Sequence, residues 1–257
     1  MADSGGVIVV DALTKSFPLP GGQPPRNVLA GVSFTARHGE FVSVIGPSGC
    51  GKSTVFSMLA GLDTPDSGGV HFGRHDGEPA GSHCAYMPQK DLLFPWRTVL
   101  DNTTLGLLVR GVPRAEARRR ARELFPVFGL SGFEDARPAQ LSGGMRQRAA
   151  LLRTVVQERD LLLLDEPFGA LDSLTRTEMQ SWLQGVWQRY RWTVLMITHD
   201  IREAVYLSDR VVVLSPRPAT VRREVRVDLP RPRDLSMLAA PEFVALEQEL
   251  LDVLHDG

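Results

Sequence analysis

Residues 46–53 of this 257-residue chain carry the residue types that can hold a phosphate group. The chain reads Gly46-Pro47-Ser48-Gly49-Cys50-Gly51-Lys52-Ser53 there, which fits the pattern GxxxxGK followed by Ser or Thr. The glycines let backbone N–H groups turn toward phosphate oxygens, and a helix that starts at the end of the loop adds partial positive charge. We therefore predict that this phosphate-binding loop and Thr54 bind a nucleotide, that Lys52 reaches its β- and γ-phosphates, and that Ser53 binds Mg²⁺.

The phosphate-binding loop lies between two segments with clear secondary-structure patterns. Residues 41–45 are apolar and rich in β-branched side chains, which predicts a buried strand. Residues 54–60 predict a helix that ends near Gly61. Kinases, GTPases and ATPases all use such a loop, so the loop alone does not separate them. A glycine-rich turn with an incidental lysine is the alternative interpretation.

Two adjacent carboxylates follow a second apolar run. The segment Leu161-Leu162-Leu163-Leu164-Asp165-Glu166-Pro167 predicts a strand that ends in Asp165 and Glu166. At the end of a strand, Asp165 can hold Mg²⁺ from the side opposite Ser53, and Glu166 can polarise an attacking water as a general base. The alternative is that both residues only begin a solvated turn.

A third motif, Leu141-Ser142-Gly143-Gly144-Met145-Arg146-Gln147, comes just before the second apolar run. Apolar side chains recur at helical spacing from this motif onward, at Met145, Ala149, Leu152 and Val156. Ser142 is therefore predicted to cap the start of a helix. Its hydroxyl and the N–H groups of Gly143 and Gly144 would form an anion site. An ordinary glycine-rich start of a helix is the alternative.

With these motifs in place, the chain resembles the ATP-binding cassette (ABC) ATPases over roughly residues 7–230, because residues 141–147 match the signature motif of that family. The resemblance implies that ATP and Mg²⁺ are the cofactors and that two subunits pair head to tail. Ser142, Gly143 and Gly144 of one subunit would then close on ATP held by the phosphate-binding loop of the other. We expect the second subunit to be another copy of this chain.

Four more residues match family positions in the expected order along the chain. Gln89 matches the glutamine loop, which senses Mg²⁺ and the attacking water. Asp172, in Ala170-Leu171-Asp172, matches the loop that crosses the dimer interface, and His199 matches the switch histidine that contacts the γ-phosphate. Phe17 matches the aromatic residue that stacks on adenine, and a core position for its ring is the alternative.

Composition and charge argue against several other classes of protein. The net charge is −1, so nucleic acid is not an expected partner. The two cysteines, Cys50 and Cys84, form no disulfide framework, which favours a reduced, cytosolic setting. The first residues lack the pattern of a secretion signal, and no apolar segment is long enough to cross a membrane. If the chain drives transport, the channel is expected to be another polypeptide.

The order of elements predicts an α/β fold: a RecA-like P-loop ATPase core with an antiparallel β subdomain and an inserted helical subdomain. The first 85 residues are rich in strand patterns, and residues 90–157 are mostly helical. Strands then follow near 161–165, 194–198 and 211–214. A short helical tail, residues 231–257, is predicted to follow the ATPase domain.

Two of the predicted helices make specific expectations possible. The helix at 174–190 is expected to bury one face, with Met179, Trp182, Leu183, Val186 and Tyr190. The basic helix at 114–125 either contacts anionic lipid headgroups or only presents a solvated face.

Residues 91–102 indicate a subgroup of the family. The sequence Leu-Leu-Phe-Pro-Trp-Arg-Thr-Val-Leu-Asp-Asn at 92–102 is similar to importers of nitrate, sulfonates and taurine, a group that includes importers of thiamin-pyrimidine precursors. The resemblance implies a peripheral ATPase on the cytoplasmic face of the membrane, bound to two permease subunits that receive solute from an extracellular binding protein. Residues 91–102 would line the groove for the permease, and a loop packed around Trp96 is the alternative. The competing functions are an ABC exporter ATPase, a soluble ABC ATPase of translation or repair, and a small-molecule kinase.

Overall fold

Two β-sheets organise the computed structural model of the protein, which describes residues 6–73 and 82–255. The strands are β1 Gly6–Phe17, β2 Arg26–Arg37, β3 Phe41–Ile45, β4 Ser67–His71, β5 Cys84–Met87, β6 Leu161–Asp165, β7 Thr193–Ile197, β8 Arg210–Leu214 and β9 Val221–Arg226. The helices are α1 Lys52–Leu59, α2 Val99–Thr103, α3 Leu105–Val109, α4 Arg114–Leu124, α5 Gly143–Val155, α6 Ser173–Tyr190, α7 Ile201–Leu207 and α8 Pro241–His255.

The larger sheet has the strand order β5-β6-β7-β3-β8-β9. Its first five strands are parallel to one another, and β9 pairs antiparallel with β8. Every residue of β3, β6 and β7 is buried, because both faces of the sheet are covered. On β3, for example, Phe41 and Ile45 belong to one apolar cluster, and Val42 and Val44 belong to the cluster on the other face.

The smaller sheet is antiparallel and has the order β2-β1-β4. It packs through residues such as Leu29 and Val32 into the same apolar cluster as α1. Helix α1, which follows the phosphate-binding loop, therefore shares one apolar cluster with residues of both sheets. Both sheets match the predicted fold class.

Helices α2 to α5 lie between β5 and β6 in the chain, where the sequence predicted a helical insertion. Their apolar side chains, including Leu100, Leu107 and Leu152, join the cluster on the α6 face of the large sheet. In the basic helix α4, four of the five arginines form ion pairs with acidic groups of the protein, namely Glu116, Glu123, Glu158 and Asp101. These pairs favour a solvated face over a lipid-binding face.

The structure corrects two details of the predicted helices. Helix α1 begins at Lys52, two residues earlier than predicted. In α6, Met179, Leu183 and Val186 are buried as expected, but Trp182 and Tyr190 are only half-buried. The fully buried aromatic residue is Trp187, whose ring meets Phe41 edge-on at 5.8 Å and whose Nε1 donates to the Trp192 carbonyl at 2.8 Å. The helix is therefore rotated so that Trp187, with its partner on β3, faces the sheet.

The tail packs against the large sheet. Phe243 and Leu250 of α8 are fully buried in the cluster that contains α6 and α7. Before α8, the Arg233 guanidinium, 3% exposed, donates to carbonyl groups of Val205, Tyr206 and Ser208 at the end of α7. Among the described residues, no helix is long and apolar enough to span a membrane.

The domain boundary near residue 230 remains a prediction.

Candidate functional site

Four chain segments leave the carboxyl ends of neighbouring parallel strands at one edge of the large sheet. The phosphate-binding loop follows β3, Gln89 follows β5, Glu166 follows β6, and His199 follows β7. The register aligns these ends, since Ile197 pairs with Val44 on one side and with Asp165 on the other. This is the edge at which open α/β sheets bind ligands.

The phosphate-binding loop has a backbone that requires glycine. Gly49 has φ +73° and Gly51 has φ +122°, which are conformations that residues with a Cβ rarely adopt. A Cβ at Gly51 would also lie 2.7 Å from Leu29 Cδ2. The loop therefore needs glycine at position 51 both for its backbone angle and for its close packing against β2.

Lys52 lies folded across its own loop. Its Nζ donates to the Gly46 carbonyl at 2.8 Å and to the Pro47 carbonyl at 3.1 Å, and the residue is 8% exposed. The ammonium group is thus held next to the loop backbone, where a phosphate oxygen can replace a carbonyl as its partner. Among the other loop residues, Ser48 and Ser53 are exposed, whereas the Cys50 side chain is buried and leaves only its backbone available to a ligand.

The predicted metal ligands Ser53 and Asp165 are brought together. The Ser53 hydroxyl lies beside the Asp165 carboxylate and lowers its pKa, and the carboxylate accepts a bond of 3.1 Å from the Tyr86 hydroxyl. Burial raises the pKa of Asp165, and the hydrogen bonds from Tyr86 and Ser53 oppose that shift. A buried carboxylate beside a hydroxyl group is a fitting set of hard oxygen donors for Mg²⁺.

The three predicted catalytic residues, Gln89, Glu166 and His199, are also brought together. Gln89 Nε2 donates to Glu166 Oε2 at 2.8 Å, and His199 Nδ1 lies 3.4 Å from the same oxygen. Glu166 itself has φ +46°, an unfavourable backbone conformation for a residue with a side chain. Such strain persists where surrounding contacts hold it, and it is enriched at functional sites. Here the Glu166 N–H donates to the Ile197 carbonyl at 3.0 Å.

The signature residues start helix α5 as predicted. The Ser142 hydroxyl accepts a bond of 3.2 Å from the Met145 N–H, as an N-cap residue does. Gly144 packs closely against α6, because a Cβ there would lie 2.9 Å from Thr175 Cγ2. Asp172 caps α6 by accepting from the Thr175 N–H at 3.1 Å, and that bond lowers the pKa of Asp172. The signature and the segment 170–172 are therefore neighbours within one chain.

Phe17 lies at the end of β1 with 38% of its surface exposed, which contradicts the alternative of a core position. Lys15 Nζ is 5.4 Å from the centre of the ring and donates to Asp63 Oδ1 at 2.7 Å and to the Thr64 carbonyl at 2.6 Å. The ring is thus available to a flat ligand, and the ion pair beside it restrains the end of β1.

Residues 91–102 form an exposed aromatic surface. Trp96 is 67% exposed and stacks on Phe94 with the ring centres 5.2 Å apart, so it does not anchor a packed loop as the alternative proposed. The segment is held from beneath by the buried Asn102, whose Oδ1 accepts from the Phe94 N–H at 2.7 Å. Arg153 of α5 donates to the Leu92 carbonyl at 2.8 Å, which connects this surface with the signature helix.

The sequence did not identify two residues that shape the site. Tyr86 bonds to Asp165 across the β5–β6 pair, and Lys15 bonds to Asp63 next to Phe17. Both contacts join residues distant in sequence, so no local spacing pattern reports them. The sequence signal for Tyr86 is its position three residues before Gln89, on the strand that leads to that residue.

Comparisons with known proteins show the family of the chain. Residues 29–169 match the family model described as ABC transporter. An uncharacterised ABC transporter ATP-binding protein of Methanocaldococcus jannaschii is 42% identical over 247 residues, which are 96% of this chain and 91% of that protein. A taurine import ATP-binding protein of Pseudomonas aeruginosa is 40% identical over 254 residues, covering 97% of this chain and 96% of that protein.

Solved structures give the same assignment. A dimeric ATP-binding cassette in a post-hydrolysis state, bound to ADP and phosphate, superposes with a TM-score of 0.71 at 29% identity. The match covers 87% of this chain and all of that chain, 100%. The family model, the relatives and the solved structure together identify this chain as a member of the ABC transporter ATP-binding family. It is an ATPase with the ABC cassette fold.

Proposed function

We propose that this chain is the ATP-hydrolysing subunit of a bacterial ABC importer for a small solute, working as a head-to-tail homodimer beneath two permease subunits. The observation that carries the proposal is the cluster at the carboxyl edge of the large sheet. Lys52, the Ser53–Asp165 pair and the Gln89–Glu166–His199 group there supply a phosphate cradle, oxygen donors and a base.

Each residue of the cluster then has one task in hydrolysis. The loop N–H groups and Lys52 bind the phosphates, and Phe17 stacks on the adenine. Ser53, Asp165 and the Gln89 amide oxygen would hold Mg²⁺, which would supply positive charge beside the phosphates. Glu166 accepts the proton of the attacking water, and its contacts with Gln89 and His199 fix the carboxylate in place. His199 contacts the γ-phosphate.

The second copy completes the site. Ser142, Gly143 and Gly144 present a hydroxyl and free N–H groups at the start of the 13-residue helix α5, which suits the phosphates of an ATP bound to the partner copy. Asp172 lies beside them and crosses the interface. Closure of the two copies around ATP would move the permease, and hydrolysis would allow the copies to separate.

The surface at 91–102 is the proposed permease contact. A cavity of about 330 Å³ is lined there by Trp96, Arg97, Thr98, Asp101, Leu108, Arg114 and Arg137. The stacked Phe94 and Trp96 offer apolar area, and three arginines against one aspartate give the cavity a positive balance. We therefore expect the permease to present a short helix with an apolar face and an acidic residue or exposed carbonyl end. Attachment there would place the chain on the cytoplasmic face of the membrane.

The relationship to a taurine import protein supports a small anion of the nitrate, sulfonate or taurine type as the solute, with a thiamin-precursor-like heterocycle as the alternative. Solute selection would lie with the permease and an extracellular binding protein. Nucleic acid is not among the proposed partners. A role in an ABC exporter, or as a soluble ABC ATPase outside transport, is the competing proposal.

Replacing Glu166 with Gln tests the hydrolytic assignment. The variant keeps the shape of the side chain and loses the proton acceptor, so we expect ATP binding to persist while kcat falls at least about 100-fold. The protein should also collect as an ATP-bound dimer in size-exclusion chromatography. Glu178→Gln on the exposed side of α6 is the matched control and should retain full activity. Retained hydrolysis in Glu166→Gln would show that another group is the base.

Purification of the tagged chain from its native membranes in mild detergent tests the transport assignment. Mass spectrometry should find a polytopic permease and an extracellular binding protein. Trp96→Ala with Arg97→Ala should lose the permease without loss of ATPase activity in the isolated chain, whereas Leu62→Ala, an exposed apolar residue after α1, should retain it. Recovery of an exporter-type membrane protein, or of soluble partners alone, would replace the importer proposal.

A further inference from the structure

Glu203 is a buried carboxylate that has no role in the hydrolysis scheme proposed above. It lies in the first turn of α7 and is 5% exposed. Burial raises the pKa of Glu203, and the negative charge of Asp200 raises it further. The side chains of Thr198 and Gln180 and the positive charge of Arg176 act in the opposite direction and lower this pKa. A buried acidic group persists only where hydrogen bonds and positive charge compensate it, so its partners indicate what it connects.

The first set of partners belongs to the turn that carries His199. The Thr198 side chain adjoins the Glu203 carboxylate and lowers its pKa, and both residues line one small cavity. The Asp200 N–H donates to Thr198 Oγ1 at 3.1 Å, and the Glu203 N–H donates to Asp200 Oδ1 at 3.2 Å. These two bonds fold the turn 198–200 onto the start of α7. The buried Glu203 side chain therefore lies against the turn that carries His199.

The second set of partners belongs to α6, the helix that Asp172 caps. Gln180 Nε2 donates to Glu203 Oε1 at 2.9 Å. Arg176, whose positive charge acts on Glu203, donates through Nη2 to the Leu171 carbonyl at 2.9 Å. Leu171 belongs to the segment 170–172. Arg176 thus bonds to that segment and acts electrostatically on Glu203, and Arg176, Glu203, Thr198 and His199 line the same small cavity.

The same residues enclose one small cavity. Its lining includes Glu166, His199, Arg176 and Glu203, and its volume of about 10 Å³ leaves room for at most one water. Glu203 and Arg176 therefore border the same small space as Glu166 and His199, and a change in one side chain alters the packing of the others.

We propose that Glu203 is a positioning residue that holds the His199 turn in place relative to Glu166 and couples it to the interface segment 170–172. The proposal rests on the role of His199 proposed above. Because Glu203 touches neither phosphate nor water in this scheme, its loss should disturb the chemical step and leave nucleotide binding intact. Helix α7 also begins at this turn, so the effect reaches His199 through the backbone.

The test is the ATPase activity of the full-length chain with Glu203→Gln. We expect kcat to fall roughly tenfold with KM for ATP within about twofold, as expected when a reacting group is displaced by a fraction of an ångström. The matched control is Glu247→Gln on α8. Arg202, an exposed residue of α7, donates to the Glu247 carboxylate at 2.6 Å, and loss of this carboxylate should leave kcat at the wild-type value. If Glu203→Gln does not fold, Thr198→Val removes the hydroxyl bond with little change in shape and should lower kcat in the same way.

An exchanged pair separates positioning from simple stability. Glu203→Gln combined with Gln180→Glu keeps one amide–carboxylate hydrogen bond but places the charge on α6, away from Thr198. We expect the exchange to recover the melting temperature and not kcat. Recovery of kcat, or an unchanged kcat in Glu203→Gln, would overturn the proposal. His199→Ala is measured alongside: if it hydrolyses ATP at the wild-type rate, the proposed role of His199 itself fails, whereas a slow His199→Ala with a normal Glu203→Gln contradicts only the coupling.

Discussion

Replacing Gly51 with Ala should destabilise the phosphate-binding loop more than the same change at Gly49. Both glycines have positive φ, +122° at Gly51 and +73° at Gly49, so alanine is strained at either position. The surroundings differ. A Cβ at Gly51 would lie 2.7 Å from Leu29 Cδ2 and 2.9 Å from Val28 Cγ1, both in the core, whereas a Cβ at Gly49 would meet the flexible tip of Arg217 at 2.9 Å.

The magnitude follows from two contributions. Backbone strain costs about 1–3 kcal/mol at either glycine. At Gly51 the added methyl also overpacks a buried site, which costs a further 1–3 kcal/mol or so. At Gly49 the Arg217 side chain can move aside into solvent, so the second contribution is close to zero. We therefore expect Gly51→Ala to lose about 2 kcal/mol more than Gly49→Ala.

Equilibrium unfolding in urea, without nucleotide, measures the difference. Alanine restricts the unfolded chain equally at both positions, so that effect cancels in the comparison. Gly31→Ala is a useful control, because Gly31 has φ +89° and nothing lies within 4 Å of its added Cβ. It should match Gly49→Ala. Equal losses for Gly51→Ala and Gly31→Ala would refute the argument that close packing against β2 requires glycine at position 51.

Two further predictions concern residues away from the nucleotide. Arg233→Met should lower the free energy of unfolding by about 3 kcal/mol, because several buried carbonyl groups lose their hydrogen-bond donor. The control Arg226→Met replaces an exposed arginine and should change the free energy of unfolding by less than about 0.5 kcal/mol, and urea unfolding measures both. The hydrogen bond from Lys15 holds the pKa of Asp63 below its usual range, so this contact stabilises the protein above the unfolded pKa and is lost as pH falls through the lower folded value. Asp63→Asn should therefore reduce the loss of stability between about pH 5 and pH 3, and an unchanged pH profile would contradict the pairing.

Local patterns carried most of the fold and the candidate site. The strand at 41–45, the strand at 161–165 and the loop between β3 and α1 are each short and continuous in sequence. Both strands lie at the predicted residues, and the loop ends two residues earlier than predicted because α1 begins at Lys52. The resemblance to ABC ATPases placed Gln89, Glu166 and His199 at one ATP site, and the parallel strands bring them together because their carboxyl ends are aligned. The contacts of Gln89 and His199 with Glu166 Oε2 agree with that expectation, and the catalytic roles of all three residues remain predictions.

The orientation of α6 was harder to predict. Its sequence contains several large apolar residues on neighbouring faces, and helical spacing alone does not say which face meets the sheet. Trp187 is buried because Phe41 and the Trp192 carbonyl receive its ring and its N–H, and both partners are outside the helix. Trp182 instead lies at the rim, where Phe128 meets it edge-on at 5.2 Å. Aromatic residues with a polar N–H are placed by such partners as much as by apolar periodicity.

The residues missed from sequence share one property that explains why they matter. Tyr86 joins Asp165, Lys15 joins Asp63, and Glu203 joins Gln180, and each contact crosses between separate elements of the fold. The motif residues follow strand ends and are placed by the sheet, so their chemistry can be inferred from spacing. The residues that restrain them are placed by tertiary packing, which spacing does not encode. Substitutions at these restraining residues should therefore alter the rate of hydrolysis while every recognisable motif of the chain remains intact.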